Sequence, residues 1–277
     1  MPTSERIALG AALFCGVVFG AGAASALDDS KLPVGDRSAM RMFHDPRQAM
    51  SEFLRDYRAG AQPSSIEALR YAADGGEPLA RWKLGSMYAA GDGVQRDDFK
   101  AYDYFLKIVQ AYDDIDPSPR ERGIVASAYV AVGAYALKGI PGNRLASDPE
   151  RARRMFTVAA TEFGDTNAQY NLGRMYFDGD GVQRDARRGA QWLRLAADKN
   201  HMEAQAILGQ IYFDGADGVQ RQRAMGLMYL TMAHDSAVNR ADCQWIIDSY
   251  DRAIAAANSS DRQGALAFLQ SHLEARR

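Results

Sequence analysis

The sequence predicts an all-α fold: a solenoid of helix–loop–helix repeats with helical caps. Three observations carry this. Residues 80–97 and 168–185 agree almost letter for letter. Further copies recur, and with Gly85, Gly133, Gly173 and Gly209 as markers the steps are 48, 40 and 36 residues, the period of stacked repeats. No run alternates β-branched and polar residues as a half-buried strand would. The 277 residues carry 33 Lys+Arg against 35 Asp+Glu, with 47% apolar residues. That is ordinary globular usage, and without a broad positive field it argues against a nucleic-acid partner.

The first element is an address. Residues 7–24 are uncharged and mostly Ala, Gly, Val, Leu and Phe, and Ala24 and Ala26 place small residues where a signal peptidase reads. The spacing predicts a secretory signal over residues 1–26, cleaved after Ala26, and a periplasmic chain without stable membrane insertion. A retained anchor is the rival reading, but the segment is rich in Gly and Ala and poor in Leu. Cys15 follows Phe14, where a lipidation site would want Gly or Ala. Cleavage leaves Cys243 as the one cysteine, so no internal disulfide is expected. Cys243 reads as a small buried hydrophobe, with a reactive or intermolecular thiol as the alternative.

Residues 27–45, with Pro33, Gly35 and mixed charges, read as a mobile leader. Residues 46–77 read as N-terminal capping helices, the first being amphipathic over 46–58 with Met50, Phe53, Leu54 and Tyr57. The repeats occupy 78–235, about four copies. In the copy that begins at Ala168, Ala168, Leu172 and Tyr176 recur every four positions and stripe one face. Gly85, Gly173 and Gly209 add no side chain, so a neighbouring helix can come close. Gly91 and Gly93, Gly179 and Gly181, and Gly215 and Gly218 mark bends where glycine alone takes positive φ cheaply. Asp185 stands at an N-cap position, and Asp148-Pro149-Glu150 gives the degenerate copy an equivalent start. Gln222 replaces that Asp in the last copy. A proline-rich insertion over 110–122 is too polar for a core helix. Residues 236–277 read as C-terminal capping helices over 242–256 and 261–273, with Trp245, Ile246, Phe268 and Leu269 apolar.

The Leu-Gly, Tyr and Gly-x-Gly-Val spacing, followed by Gly189-Ala190-Gln191-Trp192-Leu193-Arg194-Leu195-Ala196-Ala197, resembles the Sel1-like repeat, a relative of the tetratricopeptide repeat. Gly189 stands where that pattern usually has Lys. The resemblance covers about residues 64–233 and implies an α-solenoid that binds other macromolecules.

Chemistry is absent from the sequence pattern. His44, His201, His234 and His272 are scattered without metal spacing, and no phosphate-binding loop or nucleophile elbow occurs. His234 and Cys243 have no spacing-defined third partner. Asp178-Gly179-Asp180-Gly181 starts like a calcium loop but lacks its later Glu. No metal, cofactor or enzymatic activity is expected. Cysteine-rich Sel1 relatives resemble β-lactam binders, but the cysteine pairs are missing here.

A solenoid offers a groove lined by the first helix of each copy. The non-consensus positions Arg81, Lys83, Ser86, Gln169, Asn171, Arg174, Glu203, Gln205 and Gln210 are expected to face it, free of packing duty. They are polar and long-armed, which suits a protein partner. The run Arg151-Ala152-Arg153-Arg154 reads as a solvated face or a contact for an acidic partner. The array, the signal segment and the leader around Met40-Arg41-Met42-Phe43 are similar to the ExoR-type negative regulators of exopolysaccharide synthesis of rhizobia. That resemblance implies binding to the periplasmic sensor domain of a membrane histidine kinase and holding it inactive. A periplasmic protease acting on 110–122 would then be a second partner. The alternative is a periplasmic scaffold or adaptor for cell-wall, polysaccharide or envelope components.

Overall fold

The computed structural model describes residues 45–58, 63–112, 115–142 and 144–274, with side chains for all of these except 56–58 and 63–65. The expected signal segment, with Ala24 and Ala26, and residues 27–44 of the leader lie outside the described residues. Twelve α-helices and no named strand occur among the described residues. They are α1 Pro46–Arg58, α2 Pro63–Asp74, α3 Pro78–Ala90, α4 Asp98–Ala111, α5 Arg122–Lys138, α6 Pro149–Thr161, α7 Thr166–Asp178, α8 Ala186–Ala197, α9 Met202–Asp214, α10 Arg223–Ala237, α11 Gln244–Ala256 and α12 Ser259–Glu274, with a 3-10 turn at Ala241–Cys243. Helices α1 to α11 pack chiefly on their neighbours in sequence, as a solenoid requires, while α12 folds back onto α10.

The marker glycines set the spacing within each pair. A Cβ added to Gly85 would lie 2.8 Å from the Phe105 ring, one on Gly133 2.7 Å from the Phe156 ring, one on Gly173 2.6 Å from Leu193, and one on Gly209 2.7 Å from Leu230. Each glycine of a first helix thus receives a large side chain of the second. Leu84, Phe156, Leu172, Leu193, Leu208 and Leu230 are fully buried along this line, and burying each such side chain contributes about 1.5–3 kcal/mol.

The bends follow the glycines. Gly91 and Gly179 close α3 and α7 in the left-handed region at φ 74° and 84°, and Gly93 and Gly181 follow at 69° and 68°. The chain then turns into the second helix through a recurring hydrogen bond. The amide of Asp97 donates to Tyr88 O at 3.0 Å, that of Asp185 to Tyr176 O at 2.8 Å, and that of Gln222 to Tyr212 O at 2.7 Å. In the degenerate copy Asp148 N reaches Ala136 O at 2.7 Å. The carboxylates of Asp97, Asp148 and Asp185 accept amide hydrogen bonds from the first turns of α4, α6 and α8. Gln222 supplies no such side-chain cap to α10, the consequence of losing the aspartate.

Two helices, α11 and α12, lie at the C-terminal end. Ile246 is buried and Trp245 half-buried, but Phe268 and Leu266 on α12 are 44% and 66% exposed. Only one side of α12 rests on α10, so Phe268 is not a core residue.

Candidate functional site

The nine positions expected to line an open groove do not all face one. Ser86, Gln169, Glu203 and Gln205 are buried at 4%, 4%, 6% and 2% exposure. Arg81, Lys83, Asn171, Arg174 and Gln210 are half-buried. Arg174 donates to Asp178 Oδ2 at 2.8 Å and to the Tyr170 hydroxyl at 3.3 Å. Asn171 donates to Asn167 O at 2.9 Å, and Gln210 donates to the Ser249 hydroxyl of α11.

The reason is a joint between repeats that the sequence pattern hides. Arg81, Gln169 and Gln205 each follow the repeat's first alanine. Arg81 Nε donates to Ala73 O at 3.0 Å, Gln169 Nε2 to Ala160 O at 3.5 Å, and Gln205 Nε2 to Ala197 O at 3.1 Å. Those carbonyls lie at the ends of α2, α6 and α8, where intrahelical donors run out. One residue earlier, the carbonyls of Ala72, Ala159 and Ala196 accept the amides of Glu77, Asp165 and His201. The first helices α3, α7 and α9 are thus each tied to the preceding second helix by one main-chain and one side-chain bond. The visible signal was positional: all three side chains carry N–H donors at the same repeat position.

His201 belongs to this joint. Its Nδ1 accepts the Ala204 amide at 3.2 Å, its Nε2 lies 3.2 Å from Asn167 Oδ1, and its ring stacks on Tyr170 at 4.6 Å. Burial holds the imidazole neutral by lowering its pKa to about 4. Glu203 Oε2 lies 3.3 Å from the same Nδ1, and burial raises its carboxyl above the usual range. Cys243 is buried, and burial pushes its thiol up to about 11, so it matches the inert, hydrophobic reading. His234 rests against Tyr250 at 4.3 Å and faces Asp235 at 3.5 Å, while Cys243 Sγ meets Asp242 at 3.5 Å. No His/Cys/Asp/Glu group suited to a metal occurs among the described residues.

In the 110–122 insertion, α4 continues through Ala111, Tyr112 is half-buried, Pro117 is buried and Ile115 stands 64% exposed. Glu121 Oε2 accepts the amide and hydroxyl of Ser118 at 3.1 and 2.6 Å, which fixes the start of α5.

An open concavity lies on the rim formed by the repeat loops. A cleft of about 790 Å³ is lined by Arg153, Arg184, Arg187 and Arg188 together with Glu150, Asp185 and Asp217. A smaller recess of about 180 Å³ continues it past Arg194, sharing Arg187 and Gly218. Arg154, on the expected solvated run, pairs with Glu150 at 3.2 Å, whereas Arg153 turns into the cleft. Such a surface can bind but holds no catalytic grouping.

The Sel1 repeat family model matches residues 78–111, 126–162, 166–201 and 203–235. Two relatives named "Exopolysaccharide production negative regulator" are similar to most of the chain. The one from Rhizobium leguminosarum bv. viciae is 33% identical over 215 residues, 78% of each chain. The one from Rhizobium meliloti is 32% identical over 219 residues, 79% of each. A solved Sel1 repeat protein from Oxalobacter formigenes shares the fold with a TM-score of 0.59 at 24% identity, covering 83% of this chain and 88% of that one. Sel1 arrays are scaffolds for protein–protein interaction, and the regulators' names support a negative regulatory role. The chain therefore belongs to the Sel1 repeat family and is related, over nearly four fifths of its length, to the negative regulators of exopolysaccharide production.

Proposed function

We propose that the chain is a non-enzymatic periplasmic regulator, released by cleavage after Ala26, that represses exopolysaccharide synthesis. It does so by binding the sensor domain of a membrane histidine kinase and holding it inactive. The observation that carries this reading is the shared 78% of both chains with a relative named for negative regulation of exopolysaccharide production. A scaffold of interlocked repeats suits it physically, because a stiff surface can favour one conformation of a partner. The resulting shift is bounded by its differential affinity for the two states. No described helix is long and apolar enough to cross a membrane. The exposed connection around Ile115 is the segment a periplasmic protease would reach first, and its cleavage would relieve the repression.

Three measurements test this. Cell fractionation should place the processed chain in the periplasm. Affinity capture from that fraction should recover a histidine kinase ectodomain, and deletion of the gene should raise exopolysaccharide output. A cytosolic chain, or unchanged output on deletion, would sink the reading. Charge reversal at Arg81 or Arg174 is a poor probe, since both side chains hold internal bonds.

A further inference from the structure

The rim cleft carries more arginine than its own acids can neutralise. Of the three acids that line it, Asp217 pairs with Arg184 at 3.1 Å, and Glu150 pairs with Arg154, outside the lining, at 3.2 Å. The Asp185 carboxylate accepts the Arg188 amide at 3.0 Å as a helix cap, so three acids face four lining arginines. Arg153, Arg187 and Arg188 have no carboxylate partner among the described residues. Two of these three are nevertheless held in place. Arg187 Nε donates to Gly218 O at 3.1 Å, and the Arg188 guanidinium lies over the Tyr176 ring at 4.5 Å. Fixing one end of a guanidinium lowers the entropy lost when its remaining N–H groups meet a ligand. The walls come from α6, from the loop Gly181 to Asp185, from the first turn of α8 and from the next repeat's loop, so the cleft exists only because the repeats stack.

We propose that this rim cleft is a docking groove for an acidic, extended peptide segment of a protein partner, with Arg153, Arg187 and Arg188 each receiving a side-chain carboxylate. The planar fork of arginine matches a carboxylate with two parallel hydrogen bonds. The continuation of the cleft past Arg194 gives the groove a long axis that crosses two repeats, as an extended chain requires. An acidic polysaccharide fits less well. Sugar rings bind on uncovered aromatic faces, and here Arg188 covers Tyr176 and Arg184 covers Phe177 at 5.6 Å. The proposal rests on the regulatory reading only in taking the partner to be a protein.

The test uses the full chain and fluorescein-labelled hexaglutamate, followed by fluorescence anisotropy. Binding should weaken at least ~10-fold in the double variant Arg153→Glu/Arg187→Glu, and by a similar factor between low and moderate salt, as expected of exposed charge pairs. Lys107→Glu, on the exposed face of α4 and outside the lining of the cleft, should leave binding unchanged. A photo-crosslinking residue at the exposed position 183 should capture the peptide, and one at position 107 should not. The crosslink reads location in the wild-type background, so the proposal stays testable even if the double variant folds poorly. Equal binding by wild type and a folded double variant, or absence of a crosslink at 183, overturns it. So does preferential binding of polygalacturonate that hexaglutamate cannot displace. If a kinase ectodomain is captured but hexaglutamate does not bind, the groove fails and the regulatory reading stands. If hexaglutamate binds and crosslinks at 183 but no ectodomain is captured, the groove stands and that reading fails.

Discussion

Replacing Gly226 with alanine probes the closest approach to main-chain atoms among the described glycines, where α9 and α10 meet. A Cβ on Gly226 would lie 2.4 Å from Phe213 N, 2.6 Å from Gly209 O and 2.8 Å from Phe213 Cα. All three are main-chain atoms, so no side chain can turn aside. An ordinary Cβ contact begins at 3.4 Å, and 3.4 less 2.4 means that α10 must retreat by about 1 Å locally. Leu208, Leu227 and Leu230, all but fully buried at this joint, lose packing with it. Overpacking of this kind costs up to about 3 kcal/mol. Alanine returns about 1 kcal/mol through helix propensity, leaving a net loss of about 2 kcal/mol. The matched control is Gly123→Ala near the start of α5, where nothing lies within 4 Å of the added atom. It should gain about 0.4–1 kcal/mol. Urea unfolding followed by far-ultraviolet circular dichroism gives both midpoints, and hydrogen exchange should place the Gly226→Ala loss in α9 and α10. A Gly226→Ala protein as stable as wild type would refute the argument that backbone contact, rather than turn chemistry, sets the spacing there.

Three further outcomes are expected. Gly181→Val should lower the thermal midpoint, with a cost of at least about 1–2 kcal/mol, because its φ is +68° and the new Cβ would lie 2.1 Å from Pro149 Cβ; a melt identical to wild type would contradict the bend. The native Cys243 thiol, pushed up to about 11, should stay unreactive toward a thiol reagent at mildly alkaline pH and react fully in denaturant. For His201, burial depresses the pKa from 6.5 to about 4. Between those values the unfolded chain binds the extra proton, so this group's contribution to stability is complete above 6.5 and is lost as pH falls toward 4. Glu203 works in the opposite sense, since its raised carboxyl favours the folded chain until pH climbs through its folded pKa. His201→Asn can keep an N-cap acceptor while removing the imidazole's titration, so its stability between pH 6.5 and 4 should fall less steeply than that of wild type in denaturant titrations.

Much of this architecture was legible because local rules and the fold agree. The stripe Ala168, Leu172 and Tyr176 is the buried face of α7, and Asp97, Asp148 and Asp185 cap helices as their positions suggest. The glycine pairs take positive φ at every expected bend. The binding surface was less legible, for two physical reasons. Arg81, Gln169 and Gln205 vary in identity, which suggests freedom, yet each crosses to a carbonyl of the preceding helix, a relation that no single helix's periodicity contains. In the sequence His201 stands out only as lacking metal spacing, because capping by an imidazole leaves no spacing signature. The rim cleft was half visible: the arginine run on α6 stood out, but its meeting with Arg187 and Arg188 depends on how the repeats stack.

The bond from the cap residue's amide to the first helix's carbonyl has a consequence for how such a protein diversifies. Because main-chain atoms do the fastening, the identity of the fastened residue hardly enters: Asp97, Asp185 and Gln222 all make the same tie. Outward-facing loop side chains can therefore be exchanged one repeat at a time, as letters are reset in a frame, while the frame keeps its dimensions. Selection for a new partner could act on the rim without renegotiating the interior.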